Sequence, residues 1–364
     1  MRRVMAIGAA LAVLVVTAGA GAQAGPSDPG GIGAVPVATG LAFPAAFTLA
    51  PDGRIFYGER FTGEIRIYDP DTGSDSLFAT IPAISTSGER GLLGLALHPN
   101  YPNRRLVYAY ATRNLGGDLR NQVIRLKDIG GVGRRPRVIW SGDTVAGTAH
   151  DGGHIAFGPD RALYAIVGEG GTPSNSQNLT NSAGKILRMT ATGGIPSDNP
   201  FPDSRIWVFG IRNSFGFGFD PVTGFMWETE NGPQCNDELN FIVGGANYGW
   251  GPTQTCTTPP PPPQNTNRDG PDPVLPQVWF TPTIAPTGMA FCMGCGIIDQ
   301  EGKFLFGAYN DRQIRSVTLS ADRMTITGVG AVYTHSSPPL SMERGPDGTV
   351  YFSDPSGIWK LVQT

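Results

Sequence analysis

Lysine and charge are scarce in this chain, whereas residues that interrupt helices are abundant. Only four of its 364 residues are lysine, and charged side chains make up 16% of the sequence, where about 25% is usual. Glycine supplies 51 residues and proline 32, and both disfavour a helix interior, so a coiled coil or helical bundle is excluded. Because 40% of the residues are hydrophobic and the net charge is −3, the composition predicts a folded, turn-rich all-β protein rather than a disordered one.

No later part of the sequence approaches the run of about 18 apolar residues that a transmembrane helix requires. At the start, an apolar stretch at residues 4–16 follows Arg2 and Arg3 and precedes Ala22-Gln23-Ala24, whose small residues suit signal peptidase. We therefore expect residues 1–24 to be a cleavable secretory signal. The mature protein is expected to have no membrane span and to be secreted or periplasmic.

Clustered positive charge is also missing along the sequence. The lysines and arginines are scattered rather than gathered in one run. The sequence by itself therefore shows no electrostatic pattern for binding nucleic acid or an anionic membrane.

Cysteine is limited to four residues, and in an exported protein disulfides are the expected use of them. Cys235 and Cys256 flank a segment that turns back on itself, whereas Cys292 and Cys295 form a C-x-x-C motif followed by glycine. A redox motif of the thioredoxin type begins a helix after a strand, and no helical period follows here. The four cysteines are therefore interpreted as structural disulfides, although the sequence leaves their pairing open.

A short phrase recurs six times, consisting of an apolar residue, a turn of the Pro-Asp-Gly type and a run of β-prone residues. The copies lie at residues 49–57, 97–110, 157–166, 219–227, 299–306 and 345–352. A tight turn between two short strands indicates a β-hairpin, and hairpins repeated around a ring form the blades of a propeller. The sequence predicts a single all-β domain over residues 25–364, a six-bladed β-propeller of four-stranded antiparallel sheets.

The longest interval between copies of the phrase contains a proline-rich insertion around residues 251–278. Residues 259–263 are five consecutive prolines, which favour a stiff polyproline II segment. We expect this segment to be a rigid spacer over one face of the propeller rather than a recognition ligand.

Histidine is rare as well, and its four residues limit the candidates for a general base near neutral pH. His98 lies inside a repeat phrase and is interpreted as structural, whereas His335 has no acidic neighbour in the sequence. His150 begins the segment His150-Asp151-Gly152-Gly153-His154, just before the inner strand of a predicted blade. Glycines there would let the backbone approach a ligand. His150 is therefore the candidate base facing the central channel.

The segment at residues 227–240 is dense in possible oxygen ligands. It combines carboxylates and amides with the free carbonyls of a Gly-Pro pair. Calcium takes several oxygen ligands in irregular geometry, so the segment is a candidate Ca²⁺ site, although an acidic loop can also be merely solvated.

Seven ordered segments carry a family resemblance. They include Gly-Leu-Leu-Gly at 91–94, His-Asp-Gly-Gly at 150–153 and Asn-Tyr-Gly-Trp at 247–250, and the others lie at 184–188, 212–213, 232–240 and 282–286. In this order they resemble the soluble pyrroloquinoline-quinone (PQQ) sugar dehydrogenases, the glucose/sorbosone dehydrogenase family. The resemblance covers nearly the whole mature chain. It implies a six-bladed propeller and hydride transfer from C1 of an aldose to PQQ.

The resemblance also implies roles for individual residues around the quinone. It places His150 at the catalytic base that takes the hydroxyl proton, and Arg212 beside both quinone and substrate. Asn213 and Thr283 fall at positions next to the quinone. Glu89 stands where the family has a glutamine near the catalytic histidine.

Two calcium ions follow from the same resemblance. The backbone carbonyls of Gly232 and Pro233 match the positions that hold a Ca²⁺ in the active site, where the ion acts as a Lewis acid. Glu238 and Tyr248 match ligands of a second, structural Ca²⁺.

Three positions depart from the family pattern. Asn310 replaces a lysine that pairs with quinone carboxylates, and Pro338 and Leu340 replace two arginines. PQQ is a tricarboxylate, and each charge-assisted hydrogen bond contributes about 1.5–3 kcal/mol, so weakened quinone binding is expected. Three arginines nearby in the sequence are candidates to replace the lost charge: Arg312, Arg315 and Arg344.

The sequence therefore predicts an exported, PQQ- and Ca²⁺-dependent aldose dehydrogenase, active as a monomer or homodimer, with a sugar substrate and an external electron acceptor. Two alternatives remain open. The chain could be a propeller without PQQ that binds a carbohydrate or a protein, or a Ca²⁺-dependent hydrolase of the lactonase type. Nicotinamide and flavin are disfavoured because no glycine-rich dinucleotide loop lies in a βαβ context.

Overall fold

The structure is a computed structural model that describes residues 31–145, 147–253, 256 and 267–364. The expected signal at residues 1–24 and the proline run at 259–263 lie outside the described residues. Within them, 24 strands form six four-stranded antiparallel sheets, so the predicted six-bladed propeller is confirmed. Among the helices of the described residues, none is long and apolar enough to cross a membrane.

Each blade runs from an innermost strand at the central channel to an outermost strand at the rim. Blades 1 and 2 comprise β2 (Pro44–Leu49), β3 (Ile55–Glu59), β4 (Glu64–Asp69) and β5 (Ser74–Thr80), then β6 (Leu92–Leu97), β7 (Leu106–Leu115), β8 (Asp118–Ile129) and β9 (Val132–Thr144). Blades 3 and 4 comprise β10 (Ile155–Phe157), β11 (Leu163–Val167), β12 (Lys185–Met189) and β13 (Ile206–Phe209), then β14 (Ser214–Phe219), β15 (Met226–Glu230), β16 (Asp237–Ile242) and β17 (Val278–Phe280). A short 3-10 helix, Pro173–Gln177, lies between β11 and β12.

Blades 5 and 6 close the ring. Blade 5 comprises β18 (Pro286–Phe291), β19 (Phe304–Ala308), β20 (Gln313–Leu319) and β21 (Ile326–Thr334), and blade 6 comprises β22 (Met342–Arg344), β23 (Val350–Asp354), β24 (Gly357–Gln363) and β1 (Ile32–Thr39). The first strand of the chain is thus the outermost strand of the last blade, and it pairs with β24 from Ile32 opposite Gln363 to Thr39 opposite Gly357. This pairing joins the two ends of the propeller by hydrogen bonds.

Each of the six repeat phrases connects the innermost strand of a blade to its second strand. Six hydrophobic clusters fill the spaces between adjacent blades. Between blades 1 and 2, for example, Phe56 contacts Phe78 and Tyr101 edge to face, with ring centroids 5.3 and 5.9 Å apart. The β-prone runs of the repeat phrases therefore contribute apolar side chains to the interfaces between the blades.

The structure pairs the four cysteines as Cys235–Cys256 and Cys292–Cys295. The first disulfide ties the loop before β16 to the insertion, and the second closes the turn after β18. Both fit the structural role predicted for them.

The interpretation of His335 as a histidine without an acidic neighbour is wrong in three dimensions. Its ring is buried, and its Nε2 lies 3.0 Å from the Asp354 carboxylate on β23. The pair links blade 5 to blade 6, and the hydrogen bond contributes to lowering the pKa of Asp354 below its usual value against the opposing effect of burial.

Candidate active site

The candidate residues meet at one mouth of the central channel. Glu89, His150, Arg212 and Thr283 lie in the segments that lead into β6, β10, β14 and β18. These innermost strands all run from the same end of the ring, because each blade repeats the same up-and-down order. The turns that carry the repeat phrase therefore lie at the opposite end.

His150 is paired with a carboxylate that the sequence interpretation missed. Its Nδ1 contacts Oε1 of Glu169, which follows β11 in the same blade. The His150 side chain is 17% exposed and that of Glu169 is 1% exposed, so the carboxylate lies behind the ring. With Nδ1 engaged, Nε2 is the ring nitrogen left to accept a proton.

The loop that carries His150 depends on its two glycines for packing. His150 itself has a φ of 65°, and Gly152 and Gly153 have φ values of 64° and 123°, which favour glycine. A Cβ on Gly153 would lie 2.3 Å from that of Leu93. Gly153 therefore lets the loop pack against β6, and Gly152 lets it pack against β11, where a Cβ would lie 2.6 Å from the Ile166 carbonyl oxygen.

Glu89 and Asn213 hold the His150 loop in place. Oε2 of Glu89 accepts hydrogen bonds from the His150 backbone N–H at 2.7 Å and from Nδ2 of Asn213 at 3.1 Å. Oδ1 of Asn213 accepts from the backbone N–H of Gly152 at 3.1 Å. Both side chains lie at the site, and here they orient the histidine loop from blades 2 and 4.

Arg212 is held rigidly, with part of its guanidinium still free. Its Nη1 donates to the carbonyl of Asn231 at 2.8 Å, and its guanidinium lies 5.2 Å from the ring centroid of Trp250. Its Nε is buried and has no hydrogen-bond partner among the described residues. Burial lowers the pKa of Arg212, and the nearby Glu169, Glu230, Glu89 and Asp237 oppose that effect.

A second cation, which nothing in the sequence singled out, reaches the same mouth from blade 1. Arg60 donates from Nε to the carbonyl of Arg90 at 3.1 Å, and its guanidinium lies 5.3 and 4.7 Å from the ring centroids of Phe43 and Phe61. Burial lowers its pKa, and the charge on Glu89 opposes that effect most strongly. Arg60 therefore adds positive charge beside Glu89.

The candidate calcium loop folds back on itself at Gly232. A Cβ on this residue would lie 2.0 Å from the carbonyl oxygen of Cys235 and 2.4 Å from that of Asn236. The Asp237 carboxylate ties the loop down, since it accepts from the N–H groups of Gly232 at 2.8 Å, Ile284 at 2.6 Å and Ala285 at 2.7 Å. Only glycine fits this turn, because a side chain would collide with the carbonyl oxygens of Cys235 and Asn236.

Blade 4 also buries more side-chain oxygen atoms than the neighbouring hydrogen-bond donors pair with. Glu228, Glu230 and Glu238 are each 1% exposed, and β15–β16 pairing sets Glu230 opposite Glu238 and Glu228 opposite Asn240. One oxygen of each carboxylate, and Oδ1 of Asn240, lack a partner within the described part of the chain. Burial raises the pKa of all three carboxyl groups. This donor set, rich in unpaired oxygens, suits Ca²⁺.

Tyr248, the other residue placed at the second calcium, lies beside this cluster. Its hydroxyl donates to the carbonyl of Phe241 at 2.7 Å and accepts from the N–H of Val243 at 2.9 Å. Burial raises the pKa of Tyr248, and the charges of the nearby Glu228 and Glu230 raise it further.

At the three positions that depart from the family pattern, the described residues on the blade 5 and 6 side of the mouth are neutral. Asn310 donates from Nδ2 to the Thr283 carbonyl at 3.1 Å, and the backbone of Leu340 is hydrogen bonded to Gly288 and Ser353. Two of the candidate arginines lie on blade 5, where Arg315 pairs with Asp311 at 2.6 Å and Arg312 donates to the Ser336 carbonyl at 3.3 Å. The third, Arg344, is the last residue of β22 and lies at the opposite end of the channel.

The sequence interpretation thus identified His150, Arg212, Glu89 and Asn213, which the fold brings together, but it missed their supports. The missed residues are Arg60 and Glu169, whereas Glu228, Glu230, Asp237 and Asn240 belong to the segment 227–240 that the sequence marked as a candidate Ca²⁺ site. An acidic residue directly after the second strand of the His150 blade was the available signal for Glu169. For Arg60 no signal existed, because its neighbours come from other parts of the chain.

Comparison with known proteins agrees with this geometry. The profile of the Glucose / Sorbosone dehydrogenase family matches residues 41–359. An uncharacterized protein of Synechocystis sp. is 33% identical over 348 residues, covering 88% of this chain and 83% of that protein. The aldose sugar dehydrogenase YliI of Escherichia coli is 27% identical over 330 residues, covering 85% and 86%. The PQQ-bound form of an aldose sugar dehydrogenase from Streptomyces coelicolor matches with a TM-score of 0.76 at 28% identity, covering 93% of this chain and 99% of that one. The chain therefore belongs to the glucose/sorbosone dehydrogenase family.

Proposed function

We propose that this protein oxidises aldoses at C1 in a reaction that depends on PQQ and Ca²⁺ and passes electrons to an external acceptor. The observation that carries the proposal is the His150–Glu169 pair, which lies at the same channel mouth as the incompletely paired guanidinium of Arg212. A base and a cation so placed suit removal of a hydroxyl proton from a bound sugar.

The residues fit the quinone on one side of the site. The partly exposed guanidinium of Arg212 can interact with an anionic oxygen, and Arg60 supplies a further positive charge. The backbone carbonyls of Gly232 and Pro233 would hold Ca²⁺ at the mouth of the channel. On the blade 5 and 6 side, Asn310 and Leu340 offer no charge to the remaining carboxylates, so we expect weak quinone binding.

When bound, PQQ would supply a hydride acceptor, which no amino-acid side chain provides. His150 would accept the C1 hydroxyl proton at Nε2, since Nδ1 is committed to Glu169. The Glu169 carboxylate would then stabilise the imidazolium and keep the ring oriented. The contact with Trp250 and the hydrogen bond to Asn231 hold the Arg212 guanidinium in place at the mouth, where it would help to orient a bound sugar.

The experiment that tests this function is a titration of the apo protein with PQQ and Ca²⁺, followed by dye reduction with a panel of aldoses. Quinone binding together with aldose-dependent dye reduction supports the proposal. If micromolar PQQ neither binds nor supports turnover, the dehydrogenase function is wrong for this chain.

Restoring the missing lysine should strengthen quinone binding. Asn310→Lys returns one charge-assisted hydrogen bond, which contributes about 1.5–3 kcal/mol, so we expect the PQQ dissociation constant to fall by about tenfold or more. Isothermal titration in the presence of Ca²⁺ measures it. Asn103→Lys, which adds the same charge on an exposed turn at the opposite end of the channel, should leave the constant unchanged.

A second candidate function is sugar binding without the quinone. Asn310, Pro338 and Leu340 carry no positive charge, and four carboxylates lie around Arg212. Both features disfavour binding of a tricarboxylate and so favour this second function. Aldose binding by calorimetry with no measurable PQQ affinity would support this function over oxidation, and release of acid from an aldonolactone without quinone would instead indicate a hydrolase.

A further inference from the structure

The β8–β9 hairpin of blade 2 is built from the two longest strands among the described residues, with 12 and 13 residues. A two-residue turn joins them at Gly130 and Gly131, whose φ values are 64° and 80°. Both glycines adopt the left-handed conformation that closes a tight hairpin. Its tip lies at the end of the propeller opposite the candidate active site.

Three consecutive cross-strand pairs share one face of this hairpin. Ile129 pairs with Val132 at the tip, Lys127 pairs with Arg134, and Arg125 pairs with Arg137. Directly opposite residues of an antiparallel pair lie on the same face. The first two pairs are roughly 7 Å apart along the strands, and a β-bulge on β9 separates the second pair from the third. The face therefore presents an apolar pair followed by two pairs of cations.

These pairs contribute little to folding. Ile129 is 47% exposed and Val132 is 37% exposed, and like charges directly opposite each other on a sheet are destabilising. Lys127, Arg134 and Arg137 are exposed, and no ion pair to an acid occurs at these residues within the described chain. The arrangement thus lacks a structural explanation within the propeller.

More positive charge collects at the same end of blade 2. Arg104 and Arg105 lie in the turn before β7, and the Asp128 backbone N–H donates to the Arg105 carbonyl at 2.9 Å. The one acid on this part of the hairpin, Asp128, is buried and accepts from the Tyr101 hydroxyl at 2.6 Å. Residues 92–144 contain nine lysines and arginines and three acids, although the whole chain has a net charge of −3. The continuous segment that forms blade 2 therefore carries a net charge of +6, from nine basic minus three acidic residues, and the hairpin tip exposes part of it.

We propose that the β8–β9 hairpin docks this protein on the surface of an anionic phospholipid bilayer. The two apolar side chains at the tip would enter the boundary between headgroups and acyl chains, and the flanking cations would contact lipid phosphates. An exposed apolar tip distinguishes a bilayer from a purely anionic polymer, which would need only the cations. Docked in this way, the protein would turn the mouth that holds His150 away from the bilayer and leave it open to sugars.

Co-sedimentation of the full-length protein with vesicles tests the proposal. We expect binding to mixed phosphatidylglycerol–phosphatidylcholine vesicles, no binding to pure phosphatidylcholine vesicles, and loss of binding at high salt. Each cation near an anionic surface contributes about fivefold to partitioning, so K127Q/R134Q should weaken binding by about 25-fold. The charge-matched variant K303Q/K360Q, on blades 5 and 6, should bind like the wild type.

The apolar tip is tested separately. I129S/V132S should weaken vesicle binding, whereas V222S/I298S should not, although Val222 and Ile298 are 61% and 67% exposed in turns at the same end of blades 4 and 5. An equal loss in both variants would overturn the assignment to the hairpin. Wild-type binding to an acidic polysaccharide without binding to anionic vesicles, or self-association through the hairpin, would overturn the assignment to lipid.

Discussion

Replacing His150 with alanine is expected to lower dye-coupled aldose turnover by at least about 100-fold, because a positioned general base contributes about 10²–10⁴ to a rate. His150 is the histidine whose Nδ1 is held by a buried carboxylate at the channel mouth. The quinone dissociation constant should change little, because the histidine acts on the sugar hydroxyl. Steady-state kinetics with saturating PQQ and Ca²⁺ measure the effect.

His98→Gln is the matched control, since His98 lies in a turn at the opposite end of the channel and uses Nδ1 to accept from the Asn100 backbone N–H at 3.0 Å. It should retain wild-type turnover. Undiminished turnover in His150→Ala would exclude His150 as the base. Glu169→Gln, which keeps a hydrogen-bonding side chain behind the ring but removes its charge, should reduce kcat more than it changes KM.

Removing calcium is expected to lower the melting temperature by about 8 °C. A ligand at about 1,000 times its dissociation constant stabilises the folded state by about 4 kcal/mol, and each kcal/mol corresponds to roughly 2 °C in a large domain. The physical reason is the unpaired oxygens of Glu228, Glu230 and Glu238, which repel one another without a cation. Differential scanning calorimetry with and without a chelator measures the shift.

Glu238→Gln separates a metal site from a merely structural contact. This variant should lose the calcium-dependent shift, yet without calcium it should melt no lower than the wild type, because it removes one of the repelling charges. Glu301→Gln, at an exposed carboxylate, should keep the full shift. A variant Glu238→Gln that still responds to calcium would place the ion elsewhere.

The fold was largely predictable because its signal is local. Each Pro-Asp-Gly-type phrase specifies its own hairpin through turn conformation and alternation, and six such phrases determine six blades. The glycines of the His150 loop were also visible, but their purpose was not. The packing of Gly153 against Leu93 depends on a neighbouring blade, which no local pattern describes.

The site was predictable only in part, for the same reason. His150, Arg212 and Gly232 could be found because each lies within a short segment that resembles the family. Arg60 reaches the site from blade 1, and its partners Arg90 and Glu89 belong to the segment before blade 2. Such contacts join residues that are distant in sequence, so a pattern along one segment contains no information about them.

The sequence by itself determined the repeating unit, the scarcity of helix and the segments that carry the candidate chemistry, since these depend on backbone preferences and short-range order. The tertiary structure decided which charges stand together. It placed Glu169 behind His150 and paired Lys127 with Arg134 on one exposed face. Electrostatic interactions depend on distance in space rather than along the chain, and only the closed ring of blades fixes those distances.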